Sequence, residues 1–230
     1  MLLKQKCYLF VTQAAAIPLK SHINRLKWNF LIFIHHKNSN FTLHFMFESL
    51  KKIDEQLLLF GNSLHNSFFD AVIPHLTNFW VWIPLFIWWA FELYKIYKRK
   101  LIIIVLFVVG LLVAADRSSV LIKNSVQRYR PTHNIELKEK VHVVNDYRGG
   151  QYGYVSSHAA NAFAIAFFIF LLLKSYPKKG LKISLFLWAL ISCYTRIYLG
   201  VHYPFDLFSG ALLGSILAFV FYKIFVRFNT

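Results

Sequence analysis

The sequence has few acidic residues, with 10 Asp and Glu against 26 Lys and Arg. So few carboxylates leave little material for a divalent-metal site built from oxygen ligands. It has only two cysteines, Cys7 and Cys193, which indicate neither a disulfide framework nor a cysteine-ligated zinc site. Charged residues make up 16% of the chain, below the roughly 25% of an ordinary soluble domain. A soluble enzyme is therefore disfavoured.

What the chain has instead is apolar surface, since 57% of its 230 residues are hydrophobic. This composition excludes disorder and fibrous repeats, and it indicates a protein that faces a lipid bilayer. The formal net charge of +16 allows three kinds of partner, namely nucleic acid, anionic lipid and an anionic substrate. Nucleic acid is the weakest of these, because no basic stripe lies on a soluble module.

Five apolar stretches predict helices that span a membrane. They cover about residues 78–94, 101–122, 159–173, 181–194 and 207–222. Each charge-free core is somewhat shorter than the roughly 20 residues that cross a bilayer, so buried helices of a soluble protein are the alternative. Five such stretches would leave a soluble fold almost no polar exterior. We therefore predict an all-α, integral-membrane helical bundle with about five spanning helices.

Basic clusters follow alternate stretches and would lie on one face of the membrane, which we take as cytoplasmic. The clusters are Lys95, Lys98, Arg99 and Lys100, then Lys174, Lys178, Lys179 and Lys182, then Lys223 and Arg227. The other face carries the loops over about 123–158 and 195–206, which are also basic. Because orientation alone does not account for positive charge on both faces, we expect these loops to hold the functional site. The prediction is a multi-pass protein of the bacterial inner membrane whose site faces the outer side.

The segment before the first stretch changes character near Met46. Residues 1–45 are basic, contain no acid and have apolar runs too short to span a membrane. We predict that the native protein starts at Met46, with 1–45 an upstream or non-native extension and 46–230 the single domain. The apolar spacing after Met46 predicts an interfacial amphipathic helix. Its apolar face would carry Leu50, Ile53, Leu57, Leu64 and Phe68, with Lys51, Lys52, Asp54 and Glu55 opposite.

Three short segments of the outer face carry side chains suited to an anion. They are KNSVQRYRP (123–131), YVSSH (154–158) and TRIYLGVHYPFD (195–206). Lys123, Arg130 and Arg196 supply cationic donors, and arginine forks match phosphate oxygens two at a time. Lys123 and Arg130 lie seven positions apart and would share a helix face if the second stretch continued outward. Ser156 and Ser157 lie where the third stretch begins, and the exposed N–H groups of a helix start favour an anion.

Two histidines add reactive chemistry to this set. Of His158 and His202, one can attack phosphorus while the other protonates the leaving oxygen. Asp206 follows His202 by four residues, so it can accept the proton of one imidazole nitrogen and leave the other free. The set requires no metal, which agrees with the scarcity of acids. His133 and His142 are interpreted as ordinary loop residues.

The ordered set resembles the type-2 phosphatidic acid phosphatase family, which is related in fold to vanadium-dependent haloperoxidases. The family pattern reads K-x6-R-P, then P-S-G-H, then S-R-x5-H-x3-D. Residues 123–131 match the first part in full, and residues 155–158 match the second at one Ser and the His. Residues 195–206 match the third except for Thr195 in place of Ser, and the likeness extends over about 46–226. Ser157 replaces a glycine, so the backbone must use ordinary dihedral angles there.

The resemblance implies a role for each matching residue. His202 is the implied nucleophile that forms a phosphohistidine, and Asp206 orients it. His158 is the implied acid for the leaving group and then the base for water. The residues implied to hold the phosphate are Lys123, Arg130, Ser156, Ser157 and Arg196. The resemblance implies no metal and no other cofactor.

The resulting hypothesis is a metal-independent lipid phosphatase that cleaves a phosphate or diphosphate monoester on a membrane lipid. Its substrate candidates are undecaprenyl diphosphate, phosphatidylglycerophosphate, phosphatidic acid and lipid A, and the sequence leaves the choice open. The predicted partners are this lipid and the bilayer, without nucleic acid. A haloperoxidase is disfavoured by the spans and the compact loops. The remaining alternative is a non-catalytic transporter or assembly protein with a basic anion pocket, which would tolerate loss of His202.

Overall fold

The computed structural model describes residues 45–229, which are predominantly helical and contain no β-strand. The helices are α1 (45–63), α2 (Ser67–Leu76), α3 (Ile83–Tyr97), α4 (Leu101–Val126), α5 (Ser157–Leu172), α6 (Lys179–Tyr198) and α7 (Pro204–Asn229). Short 3-10 turns occur at Phe79–Trp82, Lys98–Lys100 and Pro131–His133. The prediction of an all-α protein is confirmed.

The chain divides into two compact units, residues 1–52 and 53–230. Of the first unit the structure describes residues 45–52, which are helical and largely exposed. We predict that residues 1–45 precede the native start. Of these residues the structure describes only Phe45, so the prediction falls outside the described residues. All contacts given below belong to the second unit.

The five predicted apolar stretches coincide with α3 to α7. Three segments are long and apolar enough to cross a membrane, namely Phe79–Val126, Lys179–Tyr198 and Pro204–Phe228, and α5 is a shorter apolar helix. The first segment has 48 residues, which as one helix would measure about 72 Å against a hydrocarbon core of roughly 30 Å. It consists of the turn Phe79–Trp82 followed by α3 and α4, with the turn Lys98–Lys100 between the two helices. The exact number of spanning helices stays a prediction.

Helices α3 and α4 run in opposite directions between the two ends of the bundle. Trp82, just before α3, lines a cavity together with Ser157, the first residue of α5. At the end of α3, the Tyr97 hydroxyl donates to the carbonyl of Leu172, the last residue of α5. Helix α4 then returns, because Lys123 in its last turn bonds to Ser157. Each of these helices therefore passes once through the bundle.

The end of the bundle away from Ser157 carries the predicted basic clusters. Lys178 Nζ lies 2.9 Å from Glu92 Oε2, so the link between α5 and α6 meets the last turns of α3. Lys174 Nζ lies 5.4 Å from the centroid of the Tyr222 ring on α7. A cavity of about 810 Å³ at this end is lined by the α3–α4 turn and by the last turns of α5 and α7. The sharing of one end by these clusters agrees with the predicted topology.

Helix α7 lies against α5 through two glycines. A Cβ added at Gly210 would lie 2.5 Å from the carbonyl oxygen of Ser156, and one added at Gly214 would overlap the carbonyl of Ala160. Small residues of this kind allow two helices to approach closely in a membrane. The contact joins the starts of the two helices, where the Ser156 N–H donates to the Asp206 carbonyl at 3.0 Å.

The loop between α6 and α7 is shorter than predicted. It covers residues 199–203, because α6 continues to Tyr198 and α7 begins at Pro204. Arg196 therefore lies in the last turn of α6, where it is buried. The apolar pattern ends at this charge, but the helix continues because its backbone hydrogen bonds do not depend on side-chain polarity.

Helix α4 ends before Arg130. Gln127, just after Val126, adopts a left-handed conformation with φ of 52°, which terminates the helix. Because α4 does not continue to Arg130, Lys123 and Arg130 do not share one helix face. Arg130 belongs to the loop after α4.

Helix α1 departs from its prediction at Asp54 and at its end. Its apolar face is exposed, as Leu57 shows at 48%, which agrees with an amphipathic helix. Asp54, however, is 0% exposed rather than on a polar outer face, and Leu58 beside it is also fully buried. Phe68 belongs to α2, because α1 stops at residue 63. Burial of Asp54 is possible because a cation, Arg128, lies against it.

Candidate active site

The three predicted segments meet where α4 ends and where α5 and α7 begin. Lys123 Nζ donates to Ser157 Oγ at 3.2 Å, which joins the first segment to the second. The Ser156 N–H donates to the Asp206 carbonyl at 3.0 Å, which joins the second segment to the third. The structure therefore brings together the segments that the sequence placed on one face.

Arg130 joins the first segment to the third. Its Nε donates to the carbonyl of Tyr152 at 3.1 Å, and its Nη1 donates to the carbonyl of Val201 at 3.3 Å. A Cβ added at Gly153 would lie 3.2 Å from Arg130 Cγ and 3.5 Å from His202 Nδ1. Glycine at this position lets the loop pass directly over the imidazole. The guanidinium is thus held beside His202.

His202 and Asp206 are both buried, at 1% and 0% exposure. His202 Nδ1 lies 3.4 Å from Asp206 Oδ2, although the two are not aligned as a hydrogen bond. The first turn of α7 holds this carboxylate, since the Tyr203 N–H donates to Oδ2 at 3.1 Å and Pro204 takes the first helical position. The carboxylate faces Nδ1, which leaves Nε2 as the nitrogen available for chemistry.

The environment of His202 keeps its imidazole neutral. Burial lowers the pKa of His202 to about 4; the Asp206 carboxylate opposes this shift, and the positive charges of Arg130 and Lys123 add to it. At neutral pH one ring nitrogen therefore carries a lone pair. A neutral imidazole is the form that can attack an electrophile such as phosphorus.

A cavity of about 350 Å³ is lined by Ser157, His158 and Arg196. His158 is exposed, whereas Arg196 is buried in the wall. The rest of the lining is mixed and includes Trp82, Phe86 and Asp116. The cavity therefore offers both charged groups and apolar side chains to a ligand.

His158 and His202 face a common set of charges. Arg196, His202, Arg130 and Lys123 all lie within electrostatic range of the His158 imidazole. The predicted cations and both histidines therefore influence one another's charge, and of the two histidines His158 lines the cavity.

The two serines at the start of α5 have different surroundings. Ser156 is fully buried, and its hydroxyl caps the helix by accepting the Ala159 N–H at 3.5 Å. Ser157 Oγ lies 2.6 Å from Ser119 Oγ and accepts from Lys123. Ser157 thus has an ordinary helical conformation, as expected for a serine at the position where the family pattern has glycine. Its hydroxyl takes part in the site.

Arg128 and Asp54 were not predicted as site residues, yet they hold Asp206 in place. Arg128 Nη1 donates to Asp206 Oδ1 at 2.7 Å, and its Nη2 donates to Asp54 Oδ2 at 2.7 Å. The guanidinium also stacks on Tyr203, with its Cζ 3.8 Å from the ring centroid. Asp54 Oδ1 accepts the Phe205 N–H at 2.8 Å, at the start of α7.

The charged states of Asp54 and Arg128 depend on each other and on Asp206. Burial raises the pKa of Asp54, and the hydrogen bonds from Phe205 and Arg128 offset only part of that rise. Burial lowers the pKa of Arg128, but the adjacent carboxylates of Asp206 and Asp54 outweigh it and leave the pKa above its ordinary value. The sequence signal for this group is weak, since Arg128 lies inside the first motif at a position that the family pattern leaves open.

A family model described as the PAP2 superfamily matches residues 118–230, which contain all three segments. A protein of Bacteroides thetaiotaomicron, named lipid A 4'-phosphatase, is 36% identical over 182 residues. The match covers 78% of this chain and 80% of that protein.

Two solved structures are similar to the helical bundle. The crystal structure of Aquifex aeolicus LpxE has a TM-score of 0.56 and 26% identity, and the match covers 73% of this chain and 93% of that one. The transmembrane PAP2-type phosphatidylglycerolphosphate phosphatase of Bacillus subtilis has a TM-score of 0.59 and 19% identity, over 79% of this chain and 88% of that one. The second likeness concerns the fold alone, and it agrees with the predicted integral-membrane bundle.

Proposed function

The chain belongs to the PAP2 superfamily and is a membrane lipid phosphatase, and on this premise we propose that it removes a phosphate from lipid A through a phosphohistidine on His202. The proposal rests above all on the buried, neutral imidazole of His202 between Asp206 and Arg130. Because the chain is a phosphatase, the non-catalytic alternative is set aside. Catalysis in this scheme requires no metal ion, and the site faces the outer side of the membrane.

The choice of lipid A among the four predicted substrates has two supports. The Bacteroides relative, 36% identical, is named for the 4'-phosphate of lipid A. The cavity is lined both by Arg196 and His158 and by the apolar side chains of Trp82 and Phe86, which suits a phosphate on an acylated molecule.

In the first chemical step, Nε2 of His202 attacks phosphorus and the bond from phosphorus to the lipid oxygen breaks. The leaving oxygen takes a proton from His158, whose protonated form the negative charge of the bound phosphate stabilises, so a neutral hydroxyl remains on the lipid. The phosphohistidine ring keeps its Nδ1 proton, and Asp206 stabilises the positive charge that the ring acquires. The cations that neutralise the phosphoryl oxygens are Lys123, Arg130 and Arg196.

In the second step, His158, now neutral, takes a proton from water as the water oxygen attacks phosphorus. The bond from phosphorus to Nε2 breaks, inorganic phosphate forms and His202 returns to its neutral state. His158 ends the cycle with the proton that it held at the start. Its exposure to the cavity gives it access to both the leaving oxygen and water.

A phosphate-release panel on the purified full-length protein tests the substrate. Lipid A, phosphatidylglycerophosphate, phosphatidic acid and undecaprenyl diphosphate are compared in micelles at equal mole fraction, with and without EDTA. We expect lipid A to have the highest kcat/KM, by about tenfold or more, because the Bacteroides relative with 36% identity is named for this substrate. Mass spectrometry of the product identifies the phosphate removed. Faster hydrolysis of another lipid would reassign the substrate, and activity lost to EDTA and restored by metal would contradict the metal-free scheme.

The pH dependence of kcat/KM tests the role of His202. Below about pH 4 the imidazole gains a proton and loses the lone pair that attacks, so activity falls on the acidic side. Arg130→Gln removes a positive charge that lowers the pKa of His202, so the acidic limb should move to higher pH. The measurement is kcat/KM from about pH 3 to pH 8 for both proteins.

Arg148→Gln is the matched control, because Arg148 is an exposed loop arginine whose Nε lies 3.0 Å from Asp146 Oδ1. It should leave the acidic limb where it is in the wild type. An acidic limb that does not move in Arg130→Gln, or that moves to lower pH, would show that another group controls it.

A further inference from the structure

A second cluster of ionisable side chains lies outside the active site. It consists of His65 between α1 and α2, Asp70 on α2, and His142 in the long loop after α4. His142 Nε2 lies 3.0 Å from Asp70 Oδ1 and 3.1 Å from Oδ2. The imidazoles of His65 and His142 stack with centroids 3.7 Å apart and planes within 11°. One ligand atom from each residue lies within 4.8 Å of the other two.

We propose that His65, Asp70 and His142 bind a zinc ion at a site separate from the phosphatase centre. Two imidazole nitrogens and one carboxylate oxygen are ligands that zinc prefers, whereas magnesium and calcium prefer oxygen alone. Ligand atoms around a tetrahedral zinc lie roughly 3.3 Å apart, given bonds of about 2.0 Å. The Asp70–His142 pair already has this separation. His65 is exposed and can close the remaining distance by side-chain rotation, and water takes the fourth position.

Neighbouring residues orient two of the ligands before any ion binds. The Tyr198 hydroxyl donates to Asp70 Oδ1 at 2.6 Å, which leaves Oδ2 for the metal. Asn62 holds the backbone of His142 on both sides, accepting its N–H at 2.8 Å and donating to its carbonyl at 3.0 Å. Outer hydrogen bonds of this kind are typical of sites that hold metal ligands in position.

Zinc would replace the hydrogen bond between His142 and Asp70. In the metal-free cluster His142 Nε2 lies 3.0 Å from Asp70 Oδ1; zinc would bind the lone pair of Nε2 between these two residues, with the ring proton on Nδ1. The titratable groups that face His142 are His65 and Asp70, with Tyr198 bonded to the latter.

The ion would tie the α1–α2 corner to the long loop. That loop continues to Tyr152 and Gly153, which contact Arg130 and His202 in the active site. The zinc would thus stabilise the frame of the site without taking part in the reaction. An effect of EDTA on activity in the wild type but not in His65→Ala would come from this site, whereas an effect in both proteins would contradict the metal-free chemistry of His202, so the two proposals fail independently.

The test uses the full-length protein, purified without a histidine tag, stripped with EDTA and titrated with Co²⁺ and then Zn²⁺. We expect the visible absorption of tetrahedral Co²⁺, displaced by Zn²⁺, and a rise in Tm of about 5 °C at saturation. Mg²⁺ should produce neither signal. Absence of tetrahedral Co²⁺ absorption in the wild type would overturn the proposal.

His65→Ala is the informative variant, because His65 is exposed and its loss leaves the fold and every other histidine in place. Asp70→Asn is the second variant, since it keeps the shape of the side chain. His75→Ala is the control, because His75 lines the same surface cavity as Asp70 and His142 but lies outside the cluster. We expect the first two variants to lose the Co²⁺ absorption and the control to keep it. Equal absorption in His65→Ala and wild type, or loss in His75→Ala, would overturn the site.

Discussion

We expect His202→Ala to lower the rate of phosphate release by about four orders of magnitude or more while the protein stays folded. The imidazole is the proposed nucleophile, so its removal leaves the scheme without the atom that attacks phosphorus. The fold should survive because Asp206 keeps its bonds to Arg128 and to the Tyr203 N–H. No buried charge is therefore left without a partner.

The measurement is inorganic phosphate released from the preferred lipid, with Tm and gel filtration in detergent to confirm folding. His133→Ala is the matched control, because His133 also lies near the site in sequence but bonds only to the Thr132 hydroxyl at 3.2 Å among its described side-chain contacts. It should keep wild-type activity. Undiminished hydrolysis in His202→Ala would remove the phosphohistidine scheme.

His158→Ala gives the complementary result. With a phosphate ester of a good leaving group, the first step needs no acid, but the second step lacks its base. A phosphorylated protein should then accumulate, with a label that is labile to acid and stable to base. The label should disappear when His202→Ala is added, since His202 carries it.

The five apolar helices could be predicted because a helix that faces lipid must be apolar on most of its surface. Their ends could not. Arg196 extends α6 beyond the apolar run, because Thr195 Oγ1 accepts from its Nε at 3.2 Å inside the protein. A hydropathy profile depends only on residue type, so it shows that Arg196 is charged but not that a buried partner accepts its hydrogen bond.

The predicted set of site residues depended on motif order, and the structure brings those segments together. Asp54 was assigned to a polar outer face by helical periodicity, which cannot detect a partner 74 positions away in Arg128. His142 was interpreted as an ordinary loop residue for the same reason, since its neighbours His65 and Asp70 lie more than 70 residues earlier in the sequence. Pairings over such distances arise from the fold, and local sequence patterns contain no record of them.

The second large effect is expected at Arg128, which neutralises two carboxylates that are each 0% exposed. Arg128→Met leaves Asp54 and Asp206 buried without their cation, and breaking a buried ion pair costs about 3–5 kcal/mol. Tm should fall by roughly 10 °C for a chain of this size. We also expect kcat to fall by roughly 100-fold, because displacement of Asp206 by about 1 Å misplaces His202.

The division between kcat and KM distinguishes this positioning role from a general loss of folded protein. Arg128 does not line the substrate cavity, so KM of the folded fraction should stay close to the wild-type value. Arg148→Met serves as the control, since it removes an exposed arginine paired only with Asp146 among its described ion pairs. A wild-type Tm and kcat in Arg128→Met would show that Asp206 does not depend on this arginine.

A double variant separates the two carboxylates. Asp54→Asn alone should cost little activity, because Arg128 still bonds Asp206. Added to Arg128→Met, it removes one of the two unpaired buried charges, so the double variant should be more stable than Arg128→Met by itself. Its kcat should stay low, because Asp206 still lacks the guanidinium that fixes it against His202. A double variant less stable than Arg128→Met would mean that Asp54 stabilises α7 through the Phe205 N–H rather than through its charge.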